Sequence, residues 1–82
     1  MKINMLNQVE LWEQFGRNVR SIREEIGLSP RELARKLGYR TTKITHLEDG
    51  TPVRDTYFLY YLCDALGTTL NGIMDYPPEI QE

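Results

Sequence analysis

Apolar residues near the start of the chain recur at the spacing of one face of an α-helix. The intervals are four, four, three and four residues in the series Leu11, Phe15, Val19, Ile22 and Ile26. This pattern predicts a first helix from Leu11 to about Glu25, and Gly27 is typical of the residue that ends a helix. No convincing alternation of apolar and polar residues over four or more positions predicts a β-strand anywhere in the sequence.

The clearest local signal is the run Ser29-Pro30-Arg31-Glu32. Ser29 can accept a hydrogen bond from the amide three residues later, and Glu32 can accept one from the Ser29 amide. Pro30 suits the first helical position, because the N–H that it lacks has no partner there. A second helix is therefore predicted from Pro30 to Gly38, where the chain can turn. Its buried face consists of Leu33, Ala34 and Leu37.

Three further helices follow in the second half of the sequence. One is predicted from about Thr41 to Glu48, with Ile44 and Leu47 as its core contacts. A fourth is capped by Asp55 and stopped by Gly67, with an apolar stripe of Leu59, Leu62, Cys63 and Leu66. Thr69 can cap a short fifth helix over 70–75, and Pro77-Pro78 ends regular structure.

The predicted fold is all-α, a compact domain of five helices. Residues 11–76 form this domain, residues 1–10 a flexible N-terminal arm or an extension of the first helix, and residues 77–82 a C-terminal tail. With 82 residues the chain can close one modest hydrophobic core. No apolar run approaches the roughly 20 residues that cross a membrane, and the first ten residues lack the apolar region of a signal peptide. We therefore expect a cytoplasmic protein with no membrane partner.

The sequence offers little material for catalysis or metal binding. Cys63 is its one cysteine and His46 its one histidine, so a zinc site of Cys and His ligands cannot be built within one chain. No nucleophile–base pair and no glycine-rich phosphate loop stand out either. We expect no enzyme activity, no metal and no cofactor.

Charge is distributed unevenly along the chain, although the net charge is only −2. Residues 16–43 carry eight basic and three acidic residues, a local charge of +5, whereas residues 44–82 carry a local charge of −6. A one-sided basic segment is the electrostatic feature that a nucleic-acid partner requires. The charge distribution therefore favours DNA as a partner of the first half of the chain.

The second and third predicted helices have the features of a helix-turn-helix at about 30–48. Ala34 is small enough for the next helix to cross close to it, and Gly38 permits a tight turn. Beyond these features, the chain resembles the helix-turn-helix family of phage Cro and repressor proteins, also called the XRE family. The resemblance covers about residues 15–74, through GLSPRELARKLG (27–38), KITHLEDG (43–50) and DALGTTLNGIM (64–74). It implies a lambda-repressor-like domain that binds operator DNA, often as a dimer.

The resemblance also implies roles for individual residues. On the outer face of the helix over 41–48, the positions that read bases or flank those that do are Thr41, Thr42, Lys43, Thr45 and His46. Candidates for phosphate contacts are Arg31, Arg35, Lys36, Arg40 and Arg54. Arg23 and Glu48 match a pair that would act as a structural clamp between the first helix and the recognition helix.

The chain departs from the family pattern at three places. Pro30 stands where the family often has a glutamine that contacts phosphate, so that only backbone amides remain for such a contact. Arg40 replaces a small capping residue, and Thr41 could shift the helix cap by one position. Glu48 and Asp49 make the segment after the recognition helix acidic, where the family is commonly basic.

An aromatic cluster, Tyr57, Phe58, Tyr60 and Tyr61, crowds the fourth helix. One helix cannot bury four such rings against a small core, and exposed aromatic residues are enriched at interfaces. We therefore predict a dimer or partner face made of Tyr57, Tyr61 and Tyr76. The alternative is that these rings cover the edge of the core.

These observations favour a sequence-specific regulator of transcription, a repressor by family expectation. It would insert the helix over 41–48 into the major groove of double-stranded DNA, as a homodimer on a pseudo-palindromic operator. Two alternatives remain open. The chain could be a protein-interaction module that keeps the helix-turn-helix scaffold, such as an antirepressor or accessory factor. It could also be the antitoxin of a toxin–antitoxin pair, using the aromatic face for its toxin.

Overall fold

A computed structural model describes residues 7–76, and all regular structure in that range is helical. The five helices are α1 (Gln8–Ile26), α2 (Pro30–Leu37), α3 (Thr41–Glu48), α4 (Thr56–Leu66) and α5 (Leu70–Met74). The all-α, five-helix prediction is confirmed, with α2 and α3 forming the helix-turn-helix. Residues 77–82, predicted to be a tail, lie outside the described residues, as do residues 1–6 of the predicted arm.

The first helix begins three residues earlier than the apolar pattern predicted. Asn7 and Glu10 form a capping box, in which the Glu10 amide donates to the Asn7 side chain at 2.8 Å and Glu10 accepts from the Asn7 amide at 3.4 Å. This box gives hydrogen-bond partners to the amides of Asn7 and Glu10, which water would have to supply if the helix began at Leu11. The residues from Gln8 to Glu10, assigned to an arm or a helix extension, are therefore helical.

Local chemistry sets both ends of α2, whereas the start of α3 has no side-chain cap. The predicted box at Ser29 is present, with distances of 3.0 and 2.8 Å between its atoms and those of Glu32, and Gly38 ends α2 at a φ of 74°. The cap of α3 is Arg40, whose side chain makes no capping hydrogen bond. The expectation that Thr41 could take over the cap is wrong, because Thr41 is already the first helical residue.

Every helix contributes to one core. The buried apolar residues are Phe15, Val19, Ile22, Leu33, Ala34, Ile44, Leu47, Phe58, Leu62, Leu66 and Ile73. Leu11 and Ile26, the ends of the predicted stripe on α1, are 37% and 49% exposed, because the other helices cover only the middle of α1. The stripe of α4 is also rotated from the prediction. Phe58 is fully buried and takes the central place, while Leu59 and Cys63 are half-buried.

A buried amide fastens the short α5 to the core. The Asn18 side chain of α1 donates to the carbonyl oxygen of Ile73 at 2.8 Å and accepts a hydrogen bond from Gln14 at 2.8 Å. Both polar atoms of a 5% exposed side chain thereby have partners, as a buried amide requires. The apolar periodicity of α1 contained no signal for this contact, since Asn18 pairs with a residue 55 positions away.

Candidate nucleic-acid interface

The recognition helix α3 packs on the domain through two side chains and a close backbone approach. Ile44 and Leu47 are 0% and 1% exposed. Gly16 of α1 lies directly against the last turn of α3, where an added Cβ atom would collide with the Leu47 carbonyl oxygen and lie 2.9 Å from that of Glu48. The apolar stripe of α1 does not include Gly16, although a glycine inside a helical pattern can indicate a packing contact.

An ion pair holds the last residue of α3 to α1. The Arg23 guanidinium donates to the two carboxylate oxygens of Glu48 at 2.7 and 3.1 Å, and also to the Leu28 carbonyl oxygen at 2.6 Å. Both side chains are nearly enclosed, at 7% and 8% exposure. The hydrogen bond to Glu48 raises the pKa of Arg23, so the guanidinium stays charged. The geometry is that of a bidentate pair across two helices.

Four of the five predicted base-reading residues lie on the accessible part of α3. Thr41, Thr42 and His46 are exposed, and Thr45 is half-buried. The Thr45 hydroxyl donates to the Thr42 carbonyl oxygen at 3.2 Å, which leaves its methyl group and its oxygen lone pairs free for a partner. These residues form an outer face opposite Ile44 and Leu47, the side that packs on the core.

Lys43, the fifth of these residues, lies against two aromatic rings. It is half-buried, and its ammonium group is 4.9 Å from the centre of the Phe58 ring and 5.7 Å from that of Tyr39. The two rings contact each other edge to face, with centres 4.9 Å apart. The cation thus lies over one ring of α4 and one ring of the turn before α3.

Asp55 completes the surroundings of Lys43. It caps α4 by accepting from the Phe58 amide at 3.1 Å, and it accepts from the Tyr39 hydroxyl at 3.0 Å. The backbone N–H of Phe58, followed by the Tyr39 hydroxyl, holds the pKa of Asp55 below its ordinary value, and the charge of Lys43 adds to the effect. The sequence pattern predicts Asp55 as the cap of α4, but it gives no sign of the contacts with Tyr39 and Lys43, which belong to a separate segment.

The cations predicted to contact phosphate are all exposed. They comprise Arg31, Arg35, Lys36, Arg40 and Arg54. Asp49 is exposed directly after α3. An anion at that point repels a phosphate backbone, so the surface around α3 combines attraction on the α2 side with repulsion at the end of α3.

The aromatic cluster divides between core and surface. Phe58 is buried, whereas Tyr57, Tyr60 and Tyr61 are 74%, 69% and 49% exposed. We call these three residues the tyrosine face. Tyr60 was not among the residues predicted for this face. Tyr76 was, but it is half-buried against the core, and its hydroxyl donates to Glu25 of α1 at 2.8 Å.

A groove between α4 and α5 borders the tyrosine face. Its volume is about 420 Å³, and its lining includes Tyr60, Leu59, Cys63 and Leu70. Burial raises the pKa of the Cys63 thiol, which makes it less reactive. Within residues 7–76, no helix is long and apolar enough to cross a membrane, and no three His, Cys, Asp or Glu side chains are grouped so that they could hold a metal ion.

Comparison with known proteins relates this arrangement to regulators of gene expression. A family described as a helix-turn-helix domain matches residues 14–72. Among solved structures, the clp gene regulator ClgR from Corynebacterium glutamicum is 30% identical, with a TM-score of 0.71 over 78% of this chain and 68% of that one. No curated protein sequence matches closely enough to count as a relative.

More distant structures share the fold alone. The restriction-modification controller protein C.AhdI from Aeromonas hydrophila is 24% identical, with a TM-score of 0.70 over 76% of this chain and 94% of that one. An HTH_3 family transcriptional regulator from Vibrio cholerae is 18% identical, with a TM-score of 0.75 over 88% of this chain and 40% of that one.

Proposed function

Because this chain belongs to the helix-turn-helix domain family, of the XRE-like kind, we propose that it binds double-stranded DNA sequence-specifically and thereby regulates transcription. The observation that carries the proposal is the outer face of α3, where Thr41, Thr42 and His46 are exposed while the helix itself is fixed to α1 by the Arg23–Glu48 pair. A fixed helix with a free polar face is what insertion into a major groove about 12 Å wide requires.

The residues of the outer face have suitable chemistry for reading base edges. A threonine hydroxyl can donate or accept, and its methyl group can contact the methyl group of thymine. His46 can donate to the N7 or O6 acceptor atoms of a purine. Thr41, Thr42, Thr45 and His46 are therefore the proposed reading set.

The proposed phosphate contacts are made by five exposed cations, which are Arg31, Arg35, Lys36, Arg40 and Arg54. Pro30 occupies the first position of α2 and has no N–H group. At this end of the helix, only the neighbouring backbone amides can donate a hydrogen bond to a phosphate. Binding of this kind weakens steeply as salt rises, because each neutralised phosphate releases counterions. Asp49 adds a repulsion that lowers affinity for all DNA.

The finer parts of the proposal are a homodimer, a pseudo-palindromic operator and a repressor acting in the cytoplasm. A two-fold dimer would place two copies of α3 about 34 Å apart on one side of the duplex. Occupation of a promoter by such a dimer would block transcription. The likeness to a clp gene regulator supports gene regulation, and the sign of regulation follows the family expectation.

Selection from a pool of random duplexes tests the proposal directly. We expect enrichment of a two-fold symmetric motif, and at least a tenfold loss of affinity for it in Thr42→Ala/His46→Ala, since each good base contact contributes about 1–3 kcal/mol of discrimination. Fluorescence anisotropy at two salt concentrations measures the loss. Thr56→Ala, which removes an exposed threonine from α4, is the matched control and should bind like the parent. Absence of enrichment even at low salt would refute DNA binding.

The tyrosine face supports a second candidate, a protein-interaction role. Three exposed tyrosines on one short helix are a large aromatic surface for a small domain, and tyrosine is enriched at interfaces. In the leading proposal this surface joins two copies of the chain. In the alternative it holds a different protein, as in an accessory factor or an antitoxin.

Sedimentation separates these uses of the tyrosine face. We expect the parent to be a dimer and Tyr57→Glu/Tyr61→Glu a monomer, because two charges would be buried without partners at a self-associating surface. Ser21→Glu/Thr51→Glu adds the same two charges at exposed positions outside α4, keeps the rings and should remain dimeric. If parent and tyrosine variant are equally dimeric, the face is not the dimer interface. If both are monomeric, the partner role becomes the stronger candidate.

A further inference from the structure

We infer that Lys43 is a positioning residue, which fixes the first turn of the recognition helix to α4 rather than touching a base. The effect on DNA affinity that follows from this contact rests on the proposed DNA-binding function. The contact itself is a property of the free protein. Lys43 is thereby removed from the five residues that the sequence suggested for base reading.

The geometry that carries the inference joins three segments of the chain. Lys43 belongs to α3, Tyr39 to the turn before it, and Phe58 to α4. The ammonium group lies 4.9 Å from the Phe58 ring centre and 5.7 Å from that of Tyr39, both within the roughly 6 Å at which a cation is attracted to a ring face. Asp55, which accepts from the Tyr39 hydroxyl, adds an opposite charge beside the cation. We call these four residues the aromatic bracket.

Helix electrostatics make the position of Lys43 unusual. It is the third residue of α3, where the positive end of the helix dipole disfavours a cation. The first turn of α3 contains no acidic residue, and Arg40 provides no side-chain cap. The helix dipole therefore favours an acidic or a neutral residue at this position. The rings and Asp55 supply the compensating attraction from outside the helix.

The aromatic bracket gives α3 a second point of attachment. The Arg23–Glu48 pair fixes the last residue of α3, and the bracket fixes its first turn, which carries Thr41 and Thr42. A helix held at both ends loses little freedom when it enters a groove, so less of the binding free energy is spent on ordering it. Lys43 would thus raise affinity without contributing to the choice of base.

A double-mutant cycle without DNA tests the contact. Lys43→Gln removes the charge, and we expect it to lower the Tm by about 3 °C or more. Dipole electrostatics alone predict the opposite sign, because the change removes a cation from a helix N-terminus. In a Phe58→Leu background the drop should be at least halved. If Phe58→Leu is too unstable to measure, Tyr39→Leu replaces it.

The matched control is Lys36→Gln on α2, which is exposed and should show no coupling to Phe58→Leu. Lys43→Arg should restore most of the Tm, since a guanidinium also stacks on aromatic rings. A Tm that is unchanged or raised in Lys43→Gln, or an equal drop in both backgrounds, would overturn the inference.

A salt titration with DNA tests the consequence. A lysine that contacts a phosphate contributes about one unit to the slope of log K against log salt, and a base-reading lysine loses discrimination at one base pair when replaced. We expect Lys43→Gln to weaken operator binding several-fold with the parent slope and the parent order of base preferences. A reduced slope, or a preference lost at one position, would show that Lys43 touches DNA. If the parent binds no DNA, the proposed function fails, while the thermal cycle still decides the contact.

Discussion

Replacing Glu48 with alanine should lower the free energy of unfolding by about 3 kcal/mol or more. The substitution leaves the Arg23 guanidinium 7% exposed and without its carboxylate, and an unpaired buried charge costs about 3–5 kcal/mol. Arg23 cannot escape by losing its proton, because a guanidinium stays charged in proteins even without a carboxylate partner. In a domain of this size each 1 kcal/mol lowers the Tm by about 4–8 °C, so thermal melting should shift by more than about 10 °C.

The control for this prediction is a second glutamate beside the same arginine. Glu24 lies 3.9 Å from the Arg23 guanidinium, but its side chain is 57% exposed. Glu24→Ala should therefore change the stability by less than about 1 kcal/mol, as exposed ion pairs do. Similar melting temperatures for Glu48→Ala and the parent, or equal shifts in the two variants, would mean that the pair does not clamp α3.

The clamp also has a consequence for the proposed function. Glu48 is the last residue of α3, and its side chain is turned inward to Arg23 rather than toward a DNA partner. A Glu48→Ala protein that is kept folded by low temperature should still lose operator affinity, because the helix is no longer fixed at that end. The acidic character of Glu48 therefore does not count against DNA binding, whereas that of the exposed Asp49 does.

Local chemistry explains which parts of the fold could be predicted from the sequence. The capping serine of α2, the capping aspartate of α4 and the threonine before α5 each pair with an amide three residues away. Such pairs lie within one short stretch of sequence, so their positions can be read directly. Asn7 and Glu10 form an equivalent box at the start of α1, three residues before the start that the apolar stripe alone predicts.

Contacts between distant segments explain why other features of the fold could not be predicted from the sequence. The position of Phe58 in the core depends on how α4 rotates against the other helices, and the apolar stripe of α4 allowed more than one rotation. Asn18 donates to a carbonyl oxygen of α5, and the Lys43 ammonium group lies over the Phe58 ring of α4. No spacing rule within a single helix could have predicted either contact. The candidate site was therefore predictable as a helix face, but not residue by residue.

Adding one methyl group at Gly16 should separate α1 from the recognition helix. In a Gly16→Ala protein the new Cβ atom would collide with the carbonyl oxygen of Leu47 and approach that of Glu48, and both atoms belong to backbone that cannot rotate away. Helix propensity alone would favour alanine by about 1 kcal/mol at an exposed helical site. We expect the opposite sign, a loss of about 2 kcal/mol from overpacking, measured by denaturant unfolding. Operator affinity should fall as well, because the displaced turn belongs to α3.

Gly72→Ala is the matched control, since it adds the same methyl group to another helical glycine. There the new Cβ atom would meet the Thr68 hydroxyl, a side-chain group that can turn aside, together with the Thr69 hydroxyl at 3.3 Å. The cost at Gly72 should accordingly be well below that at Gly16, and operator affinity should be retained because α5 lies outside the proposed reading face. If both variants lost the same stability, overpacking of any helix would explain the effect. If Gly16→Ala were as stable as the parent, α1 and α3 would not be in the close contact on which the position of the recognition helix depends.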